Sequence, residues 1–248
     1  MKKLRRYTKE TSRAISGGYR GLRRAIHSAT PHWARRKLGR TLDYFDLVLV
    51  DHHIFRFVYS NSHEIAPGVW RSSQPAPYQI RQFKRKGVRT VINLRGPRDC
   101  GSYRLERAAC RHQGIHFVDF QMVSRGAPKK DVIHAAARLF REIEYPVLMH
   151  CKSGADRVGL MSALYMILKE GRPAEDALSQ LSIRYGHFKE ADTGILDFFL
   201  QSYIDHNRHT PMAFLDWVDN IYDPQQLKRD FRAKGGANLI VNTLLRRE

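Results

Sequence analysis

The stretch His150-Cys151-Lys152-Ser153-Gly154-Ala155-Asp156-Arg157-Val158-Gly159 constrains this chain more than any other part of it. Before it lies a short apolar run, Pro146 to His150, that reads as a buried strand. After it, Val158 to Glu170 carries Leu160, Met161, Leu164, Tyr165 and Leu168 on one face and reads as an amphipathic helix. A strand that passes through a short Gly-containing loop into a helix start leaves free backbone N–H groups at the loop, and the positive end of the helix dipole points at the same place. The predicted result is an anion cradle formed by Lys152, Ser153, Gly154, Ala155, Asp156 and Arg157, suited to a phosphate. A cysteine at its mouth has its thiolate stabilised by the same N–H groups, so Cys151 is expected to act as a nucleophile at neutral pH. Arg157 is expected to fold back, grip two phosphoryl oxygens with its planar fork and neutralise charge as the transition state forms.

The surrounding pattern predicts the fold class. Val88 to Leu94 is a β-branched run, a helix is expected over Tyr103 to His112, and Ile115 to Met122 reads as the next strand. Pro128 introduces a helix with Val132, Ala136, Leu139 and Ile143 on one face, which leads to the strand Pro146 to His150. Strands alternating with helices predict an α/β architecture, with a mostly parallel central sheet flanked by helices. After Gly171 the pattern is helical: Ala174 to Ile183, Ile195 to His206, Met212 to Tyr222 and Gln225 to Ala233. The expected organisation is a basic N-terminal helical arm over 1–41, an α/β domain over 42–186, and a helical C-terminal extension over 187–248 packed on the same domain.

Charge sets the arm apart. The net charge is +19, and Met1 to Arg40 holds thirteen basic residues and one acid, Glu10, so +12 of the excess lies there. The chain is therefore a basic arm on an ordinary body, and a nucleic-acid reader is disfavoured. Leu4, Tyr7, Ile15, Tyr19, Leu22, Ile26 and Trp33 are scattered among the charges, with breaks at Gly17-Gly18 and Pro31. Two short helices are expected, suited to an anionic membrane surface. An Arg-rich, acid-poor targeting presequence has the same composition. Leu42, Phe45, Leu49, His52 and Phe55 predict a further helix, and adjacent His52-His53 do not face one way, so they are not expected to hold a metal. No apolar run reaches the length of a membrane span. Three cysteines without Cys-x-x-Cys spacing point to a reducing compartment, hence a cytoplasmic chain, peripheral at the inner face of a membrane if the arm tethers it.

The motif resembles the signature of the cysteine-dependent protein tyrosine and dual-specificity phosphatases, His-Cys-x5-Arg between a strand and a helix, at His150, Cys151, Gly154 and Arg157. The wider resemblance covers Glu64 to Gly186, including Trp70-Arg71-Ser72-Ser73-Gln74-Pro75 and Val91-Ile92-Asn93-Leu94-Arg95, and is closest to bacterial dual-specificity-type members. It implies that Cys151 attacks phosphorus to form a phosphocysteine that water then hydrolyses, with no metal and no cofactor. The chain departs from the family pattern at the proton donor. The family's acidic loop corresponds to Val123-Ser124-Arg125-Gly126-Ala127-Pro128, which holds no acid. Asp156 is the preferred donor, because a similar loop aspartate occurs in bacterial and lipid-directed relatives; Asp119, another acid or water are the alternatives. Val158 stands where many relatives carry Ser or Thr, a hydroxyl that Ser153 would have to replace. Lys152 resembles the basic loops of phosphoinositide phosphatases, unless it is simply a solvated lysine. His150 is expected to order the loop, His187 to be a helix-end residue after the Gly186 cap, and Cys100 and Cys110 to be free buried thiols rather than resolving partners for Cys151. Trp33, Trp70 and Trp217 are expected in packing.

Three readings follow: a metal-independent phosphatase acting on phosphoprotein or on phosphorylated lipid or sugar, a catalytically weak phosphate-binding module, and a membrane tether compatible with either. Full-length chain is expected to bind anionic vesicles, with binding lost on deleting Met1 to Arg40; equal sedimentation of both forms would rule out the tether.

Overall fold

The computed structural model describes residues 60–233, together with Gly18, Gly21, Thr41, Asp43 and Tyr44. The expected arm helices, the remainder of the expected helix through Phe55, His52-His53 and Trp33 lie outside the described residues. Among the described residues, no helix is long and apolar enough to cross a membrane.

The chain sorts into two compact units. One includes Pro75–Gly87 and Pro97–Phe117, and carries helices α1 (Pro77–Arg85) and α2 (Gly101–His112). Within it, Arg104 of α2 pairs with Asp43 at 2.8 Å. The other comprises Asn61–Gln74, Val88–Gly96 and the chain from Val118 onward, and contains the cradle.

The central sheet has five strands: β1 (His63–Ala66), β2 (Val69–Ser73), β3 (Thr90–Asn93), β4 (His116–Asp119) and β5 (Val147–Cys151), in the order β1-β2-β5-β3-β4. β1 and β2 form an antiparallel hairpin, whose turn uses Gly68 at φ +75°. β5 is flanked by β2 and β3, both parallel to it. Every residue of these three strands is buried, as a central parallel layer requires. The expected mostly parallel sheet is thus present, and Ser73 and Asn93 bring both neighbours to an end alongside Cys151 and His150. That is the carboxyl edge, where α/β sheets hold their ligands.

Helices α3 (Lys130–Glu142), α4 (Asp156–Leu168), α5 (Ala174–Leu178), α6 (Ile195–His209) and α7 (Phe214–Asn220) follow, with a last helix over 224–233. α3 is amphipathic, burying Ile133, Ala136, Ala137 and Phe140 at three- and four-residue steps. α4 departs from the expected amphipathic segment. Val158 through Met166 are all buried, because β5, α3 and α5 all pack against this helix. The expected helix over Ala174 to Ile183 stops at Leu178, and the chain then forms a 3₁₀ turn over Ile183–Tyr185, ended by Gly186 at φ +75°. A cluster of Phe199, Tyr203, Phe214, Trp217 and Tyr222 ties the C-terminal helices together, with ring centroids 4.9 to 6.2 Å apart. Trp217 is therefore a packing residue, as expected, and Trp70 is buried in β2.

Phe140 is 1% exposed and meets Tyr165 of α4 edge to face at 5.3 Å. Phe140→Ala should cost about 3–5 kcal/mol of stability, measurable by urea unfolding, since the surrounding layer cannot collapse into the cavity.

Candidate active site

Cys151 is the last residue of β5 and is buried, rather than lying in the loop beyond the strand. His150 is fully buried, with Nδ1 3.4 Å from the Cys151 carbonyl oxygen. From there the chain turns through Lys152 to Ala155 and enters α4 at Asp156.

What shapes this turn is the capture of its carbonyls. The Gln74 N–H donates to Lys152 O at 3.4 Å, and Asn61 Nδ2 donates to Ser153 O at 3.0 Å. Arg71 Nη2 donates to Gly154 O at 3.0 Å and Ala155 O at 3.1 Å. In a planar trans peptide the carbonyl and the following N–H point in opposite directions. Four captured carbonyls therefore turn the N–H groups of Ser153, Gly154, Ala155 and Asp156 away from these anchors, as a nest for an anion requires. Gly154 sits at φ +76°, and a Cβ there would lie 2.7 Å from Ser73 N and 2.9 Å from Asn61 Nδ2, so only glycine fits.

Arg71 holds two of these four carbonyls from a fully buried position. Its Nη1 donates to both the backbone oxygen and Oε1 of Gln180, at 2.7 and 2.9 Å, and its guanidinium lies 3.9 Å from the Tyr185 ring centre. Asn61 Nδ2 also donates to Tyr185 O, and its Oδ1 lies 3.1 Å from His63 Nε2. The His63 pKa is lowered by burial and then by the charges of Arg71 and Arg184, both of which disfavour the charged ring. Arg95, at the exit of β3, donates to Gln74 Oε1. Lys152 and Ser153 are exposed, Gly154 and Ala155 buried, and Asp156 and Arg157 half-buried at the start of α4.

Asp156 does not stand alone. Its Oδ1 lies 2.8 Å from His187 Nδ1, and His187 Nε2 lies 2.5 Å from Asp197 Oδ2. Burial of His187 disfavours its charged form, but hydrogen bonds and charge from the two carboxylates outweigh this and raise its pKa to about 9. The folded value exceeds the unfolded one, so this ion cluster stabilises the fold fully below pH 6.5 and is lost as pH rises through about 9. His187 follows a helix-ending glycine, as expected, but its ring joins the starts of α4 and α6.

Asp119 ends β4 and accepts from Asn93 Nδ2 at 2.8 Å. With β3 between β4 and β5, it stands about 10 Å from the cradle strand along the hydrogen-bonding direction. The segment 120–129 has no regular structure and holds no acid; Tyr222 Oη donates to Pro128 O and ties this segment to the aromatic cluster. In the other unit Cys110 is a buried free thiol whose pKa is raised by burial and then by Glu106, whereas Cys100 is only half-buried.

Asn61, Gln180 and Asp197 went unread in the sequence, Arg71 figured there only within the family resemblance, and His187 only as a helix-end residue. The one available signal was an arginine inside the β2 run Val69–Ser73, where a charge has no place unless the fold gives it partners. Arg71→Lys keeps the charge but cannot bridge two peptide oxygens and Gln180 at once. The variant should lose about 2–4 kcal/mol in urea unfolding, together with affinity for inorganic phosphate.

The family whose model matches residues 51–194, more than half of the chain, is described as DSP-PTPase phosphatase fused to NAD+ kinase. The dual specificity protein phosphatase TpbA of Pseudomonas aeruginosa is 27% identical over 133 residues, 53% of this chain and 57% of that protein. A beta-lactamase hydrolase-like protein of Xylella fastidiosa is 32% identical over 119 residues, 46% of this chain and 27% of that protein. The chain thus spans a little over half the length of the TpbA protein it matches. Among solved structures, that of P. aeruginosa TpbA aligns with a TM-score of 0.48 and 21% identity, covering 70% of this chain and 91% of that one. That of PTPMT1 aligns at 0.44 and 18%, covering 60% and 99%. The family match takes in the strand, cradle and helix start from His150 to Gly159, and on it the chain belongs to the DSP-PTPase phosphatase family.

Proposed function

We propose that the chain is a metal-independent phosphomonoesterase of the dual-specificity type that works through a phosphocysteine. The observation that supports this reading is the capture of four successive peptide carbonyls, Lys152 to Ala155, by Gln74, Asn61 and Arg71, which leaves the N–H groups of Ser153 to Asp156 pointing away from these anchors. Such preorganised donors stabilise charge on a transferring phosphoryl group without reorganising during the reaction. Arg157 completes the clamp on two of its oxygens.

In the first step the Cys151 sulfur bonds to phosphorus as the phosphorus–oxygen ester bond breaks, and the leaving oxygen takes a proton from Asp156. In the second, water attacks phosphorus, its proton passes to the Asp156 carboxylate, and the sulfur–phosphorus bond breaks to return the thiolate. The half-buried place of Asp156 in the first turn of α4, next to Arg157, favours it over Asp119, which lies two strands away and is engaged by Asn93. The substrate is a phosphorylated protein, or a lipid or sugar phosphate for which exposed Lys152 supplies an extra cation. The basic arm, by its composition, would hold the enzyme against an anionic membrane surface.

Phosphate release from an aryl phosphate in EDTA tests this directly. Native protein should turn over with chelator present, and Cys151→Ser should lower the rate at least about 10³-fold. Asp156→Asn should lower kcat about 10²-fold for an alkyl phosphate, whose leaving oxygen needs the proton, and less for an aryl one. Phosphate binding without turnover would mark a binding module instead.

A further inference from the structure

A carboxylate at the rim of an anion cradle is an electrostatic liability. Asp156 opens the helix whose N-terminal amides form one side of the nest, so its negative charge opposes the phosphate that the nest is built to hold. The fold answers with a buried imidazole. His187 is 2% exposed, and its two ring nitrogens are spent on Asp156 and Asp197.

We propose that His187 is a positioning residue of the phosphate site: its imidazolium neutralises Asp156 and ties that carboxylate toward Asp197, leaving the nest open to the phosphate dianion. The proposal rests on the reading that the cradle binds phosphate; it takes Asp156 as ionised in the free site, so that a proton given by Asp156 to the leaving oxygen is the one it shares with His187 Nδ1. Three features support it. First, the ring is held at both ends, so Asp156 Oδ1 is committed to it rather than to the neighbouring amides. Second, Asp197 supplies the second negative charge that keeps a buried imidazole protonated, and the His187 pKa, near 9 despite burial, keeps the cation present through the neutral range. Third, the charged groups against the ring come from α4 (Asp156) and α6 (Asp197), whereas Arg184, Lys189, Glu190 and Asp192, in the segment that carries His187, are exposed to solvent. The cluster Asp156–His187–Asp197 carries one negative charge with the proton on His187 and two without it.

Equilibrium binding of inorganic phosphate by calorimetry separates this from a purely structural histidine. Full-length Cys151→Ser protein is used so that the thiolate adds no charge of its own. In this background His187→Gln should weaken phosphate about tenfold at pH 7, the effect of one uncompensated charge near the site. Adding Asp156→Asn should bring the affinity back to within about threefold of the Cys151→Ser parent, because the charge that His187 offset is then gone. Loss in the single variant without recovery in the double would overturn the proposal, and so would unchanged affinity in the single variant. If His187→Gln does not fold, the pH dependence decides. The affinity of Cys151→Ser protein should fall above about pH 9, and that fall should disappear when Asp156→Asn is added; the same fall in both would overturn the proposal. No phosphate binding by the Cys151→Ser parent at any pH would instead remove the phosphate-cradle reading and this inference with it.

Discussion

A single buried guanidinium orders the part of this molecule that matters. Arg71 enters from the middle of β2, where a strand would ordinarily present an aliphatic side chain, and meets four oxygens: those of Gly154 and Ala155 and two of Gln180. Removing a charge from water is costly, and it persists only where hydrogen bonds and a polarisable neighbour replace the lost hydration. Here carbonyls, an amide oxygen and the face of Tyr185 do so. The interaction works in both directions. The loop gives Arg71 two of its partners, and Arg71 fixes two of the loop's peptide planes with their N–H groups turned away from it. On the proposed reading, its positive charge adds to the attraction of the loop N–H groups for an anion.

How much of this was legible in the sequence depended on how far along the chain each interaction reaches. The cradle is local: strand, glycine-containing loop and helix start follow one another within a dozen residues, so His150, Cys151, Gly154 and Arg157 reveal it without any tertiary knowledge. The parallel core was legible for the same reason, since β3 and β5 are β-branched or apolar runs with two helices and the strand β4 between them. The supports of the cradle are not local. Arg71 and Gln180 are 109 residues apart, Asn61 and Ser153 are 92 apart, and Asp156 and His187 are 31 apart. Each residue in isolation has an ordinary interpretation, a surface charge, a loop amide or a helix-end histidine, and only chain return gives it another. The segment Val158 to Glu170 shows the converse error. Its apolar spacing suggested one buried face, but burial on all sides depends on how many neighbours arrive, and periodicity does not report that.

The chain lacks an acid in the segment from Gln121 to Lys129 and has one inside the cradle instead. A proton donor on a separate loop would depend on that loop's motion for its position. One on the first turn of α4 moves with the helix, whose Val158 to Met166 stretch is locked in the core. On the proposed reading, a donor at Asp156 exchanges mobility for rigidity and brings a charge problem that a distant loop would not, and the His187–Asp197 pair lies where that problem arises.

Gln180 touches no candidate reacting group, yet it sits where two constraints cross. Its backbone oxygen receives Arg71, and the same oxygen lies 2.8 Å from where a Cβ on Gly159 would be. The two sides of that contact cannot drift independently. A larger residue at 159 would push the 180 segment outward and pull the guanidinium off the cradle, whereas a shorter side chain at 180 would leave Arg71 short of an acceptor. Positions 71, 159 and 180 are therefore coupled through a single carbonyl oxygen, and a displacement at one is felt at the other two.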